Sequence, residues 1–177
     1  MIPAGLRTLM TTFPHAGNVV WIGVRPAPRM AMVALSTVEA IVRRGLTGDR
    51  TADKSRPGND RQVTLIQAEH LVVLGALLQR GEIDPALLRR NIAVAGINLQ
   101  ALKGHTFQIG AAVLEWTGEC HPCSLMESQL GTGGYNAMRG HGGTTARVLA
   151  SGSIAIGAAV TPLPLLDAAI ATCRSPT

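Results

Sequence analysis

The most constraining feature of the sequence is a series of short stretches rich in β-branched residues, most of them bounded by glycine, proline or asparagine. Such runs are typical of β-strands joined by tight turns. The predicted strands are residues 19–24, 32–35, 92–94, 106–109, 113–117 and 154–160. Because many short strands need their edges hidden, we predict a mainly-β fold, a closed or nearly closed β-barrel with a few short peripheral helices.

The length of the chain indicates one domain. At 177 residues the chain is within the usual size of a single domain, and no linker-like stretch divides it. We therefore expect one domain over residues 1–177, with a core at about 17–160 and flexible N- and C-terminal tails.

Three short helices are predicted, at residues 67–79, 84–88 and 122–130. Gly81 and Gly131 lie just beyond the first and the third, where glycine commonly ends a helix. Asp84 followed by Pro85 is typical of an N-cap and a first helical residue. Two irregular stretches remain: the polar segment 45–61, which we interpret as a binding loop or a mobile one, and the glycine-rich segment 131–143.

The charge balance and the aromatic content limit the partners. Lys and Arg number 16 against 11 Asp and Glu, a formal net charge of +5, so the surface attracts anions. This excess indicates either solubility alone or a dedicated phosphate or cofactor site. Aromatic residues make up only 3% of the chain, too few for the stacking platforms of single-strand nucleic-acid binders. We expect no nucleic-acid partner.

The cysteine count and the apolar runs bear on location. Three cysteines, an odd number, without a basic-then-apolar leader favour a reducing compartment. The apolar run at residues 163–170 is interrupted by Pro164 and Asp167 and is far shorter than the roughly 20 residues of a membrane span. We expect a cytoplasmic protein without a membrane anchor.

The sharpest local motif is Cys120-His121-Pro122-Cys123. The predicted helix at 122–130 places Cys123 in a first turn, where unpaired backbone N–H groups stabilise a thiolate and raise its reactivity. The same spacing also fits a dithiol-disulfide couple or half of a zinc site. A fourth interpretation is a pair of small buried cysteines that fill a core.

Three of these interpretations have less support. Structural zinc needs four ligands, and the sequence has no second Cys-x-x-Cys and no His-x3-His pair. A thioredoxin-like couple is expected after the first strand of a βαβ unit, not two-thirds along a β-rich chain. The polar and proline neighbours of the motif resemble a loop more than a core. A reactive Cys123 is the interpretation that fits best.

Arginines recur at the edges of the predicted elements, at positions 25, 29, 50, 61, 89 and 90. Such placement lets several guanidinium groups converge on one opening, where their paired N–H donors suit a phosphate. The alternative is that each arginine is a solvated surface charge. Motifs for nucleotide or serine hydrolysis are absent from the sequence, as is the zinc-protease motif.

The chain as a whole resembles the MOSC family, the domain found at the C-terminus of molybdenum cofactor sulfurases and as small standalone bacterial proteins. Five segments carry the resemblance in the family's order: GLTGDR at 45–50, RQVTLI at 61–66, RRNI at 89–92 with GINL at 96–99, TGECHPC at 117–123, and YNAMRGHGG at 135–143 leading into 146–148.

The resemblance implies a β-barrel and a signature cysteine, which Cys123 matches. In the family this residue coordinates molybdenum in the molybdenum cofactor or carries sulfur as a persulfide. The resemblance therefore implies an oxidoreductase module acting on N-hydroxylated compounds, or a sulfur carrier for the assembly of metal-sulfur cofactors. A non-catalytic binding module remains the third reading. The residues that would bind the anionic pterin cofactor are Arg50, Arg90 and Asn91, with Arg25, Arg61 and Ser124 as further candidates.

The departures from the full-length sulfurases define the expected partners. The sequence has no pyridoxal-phosphate desulfurase domain, so a separate cysteine desulfurase would supply the sulfur. It has no flavin, haem or iron-sulfur motif, so a reductase role would need separate electron-donor proteins. Cys120 is an additional thiol and a candidate resolving cysteine for a persulfide on Cys123.

Overall fold

The computed structural model describes residues 3–53 and 59–164, within which the chain forms eleven strands and five α-helices. The strands are β1 Gly17–Val24, β2 Val33–Leu35, β3 Thr37–Ile41, β4 Gly45–Leu46, β5 Val63–Gln67, β6 Ile92–Ala95, β7 Thr106–Ile109, β8 Ala112–Glu119, β9 Thr144–Ala150, β10 Gly152–Ala155 and β11 Ala159–Pro162. The helices are α1 Ala4–Thr11, α2 Arg50–Asp53, α3 Ala68–Leu77, α4 Ser124–Leu130 and α5 Gly134–Ala137. Short 3-10 helices span Pro85–Leu88 and Leu99–Leu102.

Seven strands close into a barrel. Their order is β11-β7-β8-β9-β5-β6-β1, and the first residues of β1 pair with β11 to complete the ring. β5 and β6 run parallel and the other neighbours run antiparallel. The remaining pairings are β2 with the last residues of β1, and a small sheet of β10, β3 and β4. The predicted mainly-β barrel with short helices is confirmed, and closure explains how so many short strands avoid exposed edges.

The barrel wall separates two apolar clusters. Leu65, Ile92 and Val94 point into the barrel interior, whereas their neighbours Ile66 and Ala93 point outward onto residues of α3 and α4. This alternation follows from the strand geometry, in which successive side chains lie on opposite faces. The outer cluster fixes the short helices against β5 and β6, next to the loops that carry the sequence motifs.

Two sequence predictions of local structure are wrong in their bounds. Residues 154–160 do not form one strand, because Gly157 turns the chain with a φ of +83° and separates β10 from β11. The helix predicted from Pro122 begins two residues later, and Cys123 has extended backbone angles. The helices predicted at 67–79 and 84–88 are confirmed as α3 and a 3-10 turn, and Asp84 accepts a hydrogen bond from the N–H of Ala86.

The C-terminal segment considered as an anchor lies almost entirely outside the described residues, as does the third cysteine, Cys173. Within residues 3–53 and 59–164, no helix is both long and apolar enough to cross a lipid bilayer.

Candidate functional site

The loop after β8 carries two cysteines in different environments. Cys120 extends the pairing of β8 with β9, since its N–H donates to the Gly143 carbonyl at 2.9 Å, and its side chain is buried. Cys123 is exposed and is the N-cap residue of α4, with φ −129° and ψ 174°. Both thiols are free. The buried-core interpretation therefore applies to Cys120 alone, and Cys123 is open to a ligand or a reactant.

In the part of the chain that the structure describes, no set of ligands for a structural zinc ion forms around the two cysteines. There, no three His, Cys, Asp or Glu side chains come together in a group that could hold a metal ion.

Arg90 ties the cysteine loop to two other segments from inside the protein. It is only 6% exposed, and its guanidinium donates to the carbonyls of Leu88 (2.7 Å), Gly142 (2.7 Å) and Cys120 (3.2 Å). Burial lowers the pKa of Arg90, while the charges of Cys120 and Cys123 act in the opposite direction. A guanidinium remains protonated even so. Arg90 is thus a buried cation beside both thiols.

Two glycines let the chain before β9 lie directly against this network. A Cβ added at Gly142 would overlap the Cys120 carbonyl oxygen, and one at Gly143 would overlap the carbonyl oxygen of Leu65. Gly143 also has a φ of +86°, in the left-handed region that favours glycine. At these two positions the glycine-rich segment therefore lies against the Cys120 loop and against β5.

Asn91 organises a second network next to the first. Its side-chain oxygen accepts from the N–H and the hydroxyl of Thr64 (3.1 and 2.8 Å), and its amide donates to the Gly23 carbonyl (3.1 Å) and to Asp49 (3.0 Å). Asp49 in turn accepts from the N–H of Arg25 at 3.0 Å. The amide of Asn91 is therefore fully used within the protein, and it holds the loop from which Arg25 extends.

Three further arginines, Arg25, Arg50 and Arg61, lie next to these two networks. Arg25 and Arg50 are half-buried, Arg50 donates its N–H to the Arg25 carbonyl at 2.8 Å, and Arg61 is exposed. The Nη2 of Arg61 lies 3.9 Å from the Sγ of Cys120, and the buried Nε of Arg25 has no hydrogen-bond partner in the structure. None of the three forms an ion pair with a carboxylate among residues 3–52 and 59–164. Their positive charge is available to an anion.

The predicted site residues thus form a connected group. Hydrogen bonds link Arg50 and Arg25 through Asp49 to Asn91, whose neighbour Arg90 bonds to the Cys120 loop. Ser124 is exposed at the start of α4, directly after Cys123.

Sequence reasoning missed a pair of histidines beside this group. The rings of His70 on α3 and His141 in the glycine-rich segment lie edge to face with 4.7 Å between their centroids. Each Nδ1 is buried without a hydrogen-bond partner in the structure. They are 71 positions apart in the sequence, and nothing in the local pattern of either segment indicates that they meet.

We expect the stability of the protein to fall in mild acid. Burial, followed by the charge of His141, holds the pKa of His70 below its ordinary value of 6.5, against a weaker opposing effect of Glu69, and burial lowers the pKa of His105. Such a histidine binds fewer protons folded than unfolded, so its contribution is present above about pH 6.5 and is lost as the pH falls through the folded-state value. Urea denaturation at pH 7.5 and pH 5.5 measures the difference.

His70→Gln should reduce that pH dependence, and His15→Gln, at an exposed position, should leave it unchanged. An equal pH dependence in the wild type and in His70→Gln would contradict the assignment to His70.

The chain matches a known protein-family model over more than half of its length. The model of the MOSC domain matches residues 52–161, which include both cysteines, Arg61, Arg90 and Asn91. No curated protein sequence is significantly similar to the chain.

Solved structures show the same fold at low sequence identity. The YuaD protein of Bacillus subtilis superposes with a TM-score of 0.70 at 18% identity, covering 82% of this chain and 94% of that one. YiiM of Geobacillus stearothermophilus gives 0.67 at 18% identity, covering 84% and 75%. YiiM of Escherichia coli gives 0.66 at 17% identity, covering 86% and 72%. Because the family model matches more than half of this chain, the chain belongs to the MOSC domain family.

Proposed function

We propose that this protein binds the molybdenum cofactor and acts as the terminal module of an oxidoreductase that reduces N-hydroxylated compounds. The observation that carries the proposal is an exposed, free Cys123 thiol in a loop that also lies against two arginines. Membership of the MOSC domain family supports it, because that family is associated with this cofactor.

The residues present fit such a cofactor in their chemistry. A cysteine thiolate is a soft ligand of the kind that heavier metals accept, and guanidinium groups bind phosphate through paired N–H donors. The Nε of Arg25 is buried without a hydrogen-bond partner in the structure, and a bound anion would supply one. No ion pair joins the side chains of Arg25, Arg50 or Arg61 to a carboxylate among residues 3–52 and 59–164.

The roles divide according to which donors are free. Cys123 would ligate the metal, Arg25, Arg50 and Arg61 would hold the pterin phosphate, and Ser124 would add a hydroxyl beside it. Arg90 and Asn91 were predicted to hold the phosphate, but the buried guanidinium of Arg90 donates to three backbone carbonyls. The amide of Asn91 donates to the Gly23 carbonyl and to Asp49. We assign them to positioning the loops. The bound cofactor would supply two-electron redox chemistry at its metal.

The reaction consumes two electrons and two protons, converting an N-hydroxylamine to an amine and water. The sequence has no flavin, haem or iron-sulfur motif, so a separate protein would supply the electrons. Arg61 lies beside the Cys120 thiol, and the charge of Arg90 acts on both Cys120 and Cys123, so the surroundings of the cysteine loop are positive. Such a surface would attract an anionic cofactor and an acidic electron donor alike.

We expect Cys123→Ser to abolish the reductase activity and Cys120→Ser to retain most of it. The assay uses cofactor-loaded protein, an N-hydroxylated purine and reduced methyl viologen as the electron source. The reductase activity of Cys123→Ser should be at least about 100-fold below that of the wild type, because the variant loses a group that contacts the reacting centre. Because Cys120 is buried and only three residues away, it is the matched control. Equal activity of wild type and Cys123→Ser would refute the role of Cys123.

A second function, sulfur transfer, is favoured by one observation. The buried Cys120 thiol, with Arg61 at 3.9 Å, accompanies the exposed Cys123 in a Cys-x-x-Cys motif. A persulfide on Cys123 could be attacked by the Cys120 thiolate, forming the Cys120–Cys123 disulfide and releasing hydrosulfide, with no external oxidant. Incubation with a cysteine desulfurase and cysteine should then add about 32 daltons, the mass of one sulfur, to Cys123.

Cys120→Ser should prolong the life of that adduct, and Cys123→Ser should never form it. The absence of any adduct on the wild type would count against sulfur transfer. A non-catalytic binding module, in contrast, predicts that Cys123→Ser leaves function intact in both assays.

A further inference from the structure

A cavity of about 660 Å³ lies between α1 and the barrel, and it shares no lining residue with the cleft beside Cys120. Its walls come from α1, from the segment that leads into β1, from the residue before β7, and from β11 with the two residues after it. A volume of this size is within the usual range for binding sites of small organic molecules.

The lining residues combine positive charge with an apolar wall. Arg7, His15 and His105 line the cavity, and within residues 3–53 and 59–164 no aspartate or glutamate does. Phe13 and Leu163 contribute apolar surface to it. Because Arg7 carries a permanent positive charge and no carboxylate among the described residues lines the cavity, the cavity favours an anion. Its apolar wall favours an anion that carries an organic body.

His105 supplies an independent indication of a ligand. Its side chain is only 6% exposed, and its Nδ1 is buried without a hydrogen-bond partner in the structure. Its backbone is satisfied, because the N–H donates to the Leu102 carbonyl and the carbonyl accepts from the N–H of Trp116. The ring of Phe13 packs edge to face on the imidazole at 5.7 Å. A buried ring nitrogen without a partner is rare and costs stability unless a ligand or water completes it.

Burial lowers the pKa of His105, so its imidazole is neutral at pH 7. A neutral imidazole offers one N–H donor and one acceptor nitrogen. It would thus add a directional hydrogen bond to the charge of Arg7, which is the combination that recognises a carboxylate without burying a second cation.

We propose that this cavity binds a small organic carboxylate, with its apolar body against Phe13 and Leu163 and its carboxylate between Arg7 and His105. The site is independent of the chemistry proposed for Cys123 and places a second, organic ligand on the same domain.

The test uses 2-naphthoate as the probe and 2-naphthamide as its neutral counterpart, with full-length protein and isothermal titration calorimetry. Naphthoate should bind more tightly than naphthamide and should shift the imidazole signals of His105 in ¹H–¹⁵N spectra. Arg7→Gln should weaken naphthoate binding about tenfold, the loss expected for one charge-assisted hydrogen bond, and should leave naphthamide binding unchanged. Arg44→Gln, an exposed arginine in the turn between β3 and β4, is the matched control.

Three results would overturn the proposal. The first is no binding of naphthoate to the full-length protein. The second is equal loss of affinity in Arg7→Gln and Arg44→Gln. The third is displacement of naphthoate by inorganic phosphate at equal concentration, which would indicate a general anion site without a preference for organic carboxylates.

Discussion

Gly143→Ala is expected to lower the free energy of unfolding by more than about 3 kcal/mol, because the new Cβ combines backbone strain with a steric clash. The φ of +86° at Gly143 disfavours any residue with a Cβ, and the added atom would overlap the Leu65 carbonyl oxygen in β5. Neither partner can rotate away, since Leu65 lies within a paired strand. Urea denaturation at pH 7.5 measures the loss.

Gly140→Ala separates the two causes. Gly140 has nearly the same φ, +81°, but nothing lies within 4 Å of the Cβ it would gain. That variant should cost only about 1 kcal/mol, the strain of a left-handed backbone conformation alone. If the two alanine variants lost the same stability, the close packing of residue 143 on the barrel wall would be wrong.

Arg90→Met should destabilise the protein by about 3–5 kcal/mol and expose the cysteine loop. The substitution removes the donors of three buried carbonyls, those of Leu88, Gly142 and Cys120. Buried polar groups left without partners carry most of such a cost. Because the Cys120 loop would lose one of its anchors, the rate of alkylation of Cys120 by iodoacetamide should rise toward that of Cys123, as measured by peptide mass spectrometry.

Arg89→Met is the control for this substitution. Arg89 is adjacent in the sequence and only half-buried. Arginine and methionine both carry a Cβ, so the positive φ at position 89 disfavours them equally. Arg89→Met should change the free energy of unfolding by no more than about 1 kcal/mol. It should not change the rate of alkylation of Cys120. Similar effects at positions 89 and 90 would contradict the anchoring role of Arg90.

The barrel was predictable because its strands carry local signals. β1, β6, β7 and β8 combine β-branched residues with flanking turn residues, and the structure has a strand at each of these stretches. β3, β5 and β9 were not predicted from these local signals. β9 begins with Thr144 and Thr145 after two glycines and includes the charged Arg147, so it has no continuous apolar run. The pairing of β9 with β5 and β8, and not its local sequence, makes it a strand.

The cysteine motif was predictable as a candidate site, but the distinct environments of its members were not. Cys-x-x-Cys spacing identifies two neighbouring thiols, whereas the burial of Cys120 depends on β9, Arg61 and Gly143, which are distant in the sequence. For the same reason the sequence could not separate Arg90, whose donors are used internally, from Arg25, whose Nε is free. Asp49 and Thr64 lie in segments that carry the family resemblance, but their hydrogen bonds to Asn91 were not predicted because only the fold brings these residues together.

Ligation of molybdenum by Cys123 can be tested by the molybdenum and pterin content of purified wild-type protein and of Cys123→Ser, both produced in a host that makes the cofactor. Metal analysis and pterin fluorescence give the amounts per chain, with Cys120→Ser as the control for loss of a neighbouring thiol. We expect the cofactor to be present in the wild type and in Cys120→Ser and to be lost from Cys123→Ser. Cofactor absent from the wild type, or retained unchanged in Cys123→Ser, would contradict ligation of molybdenum by Cys123.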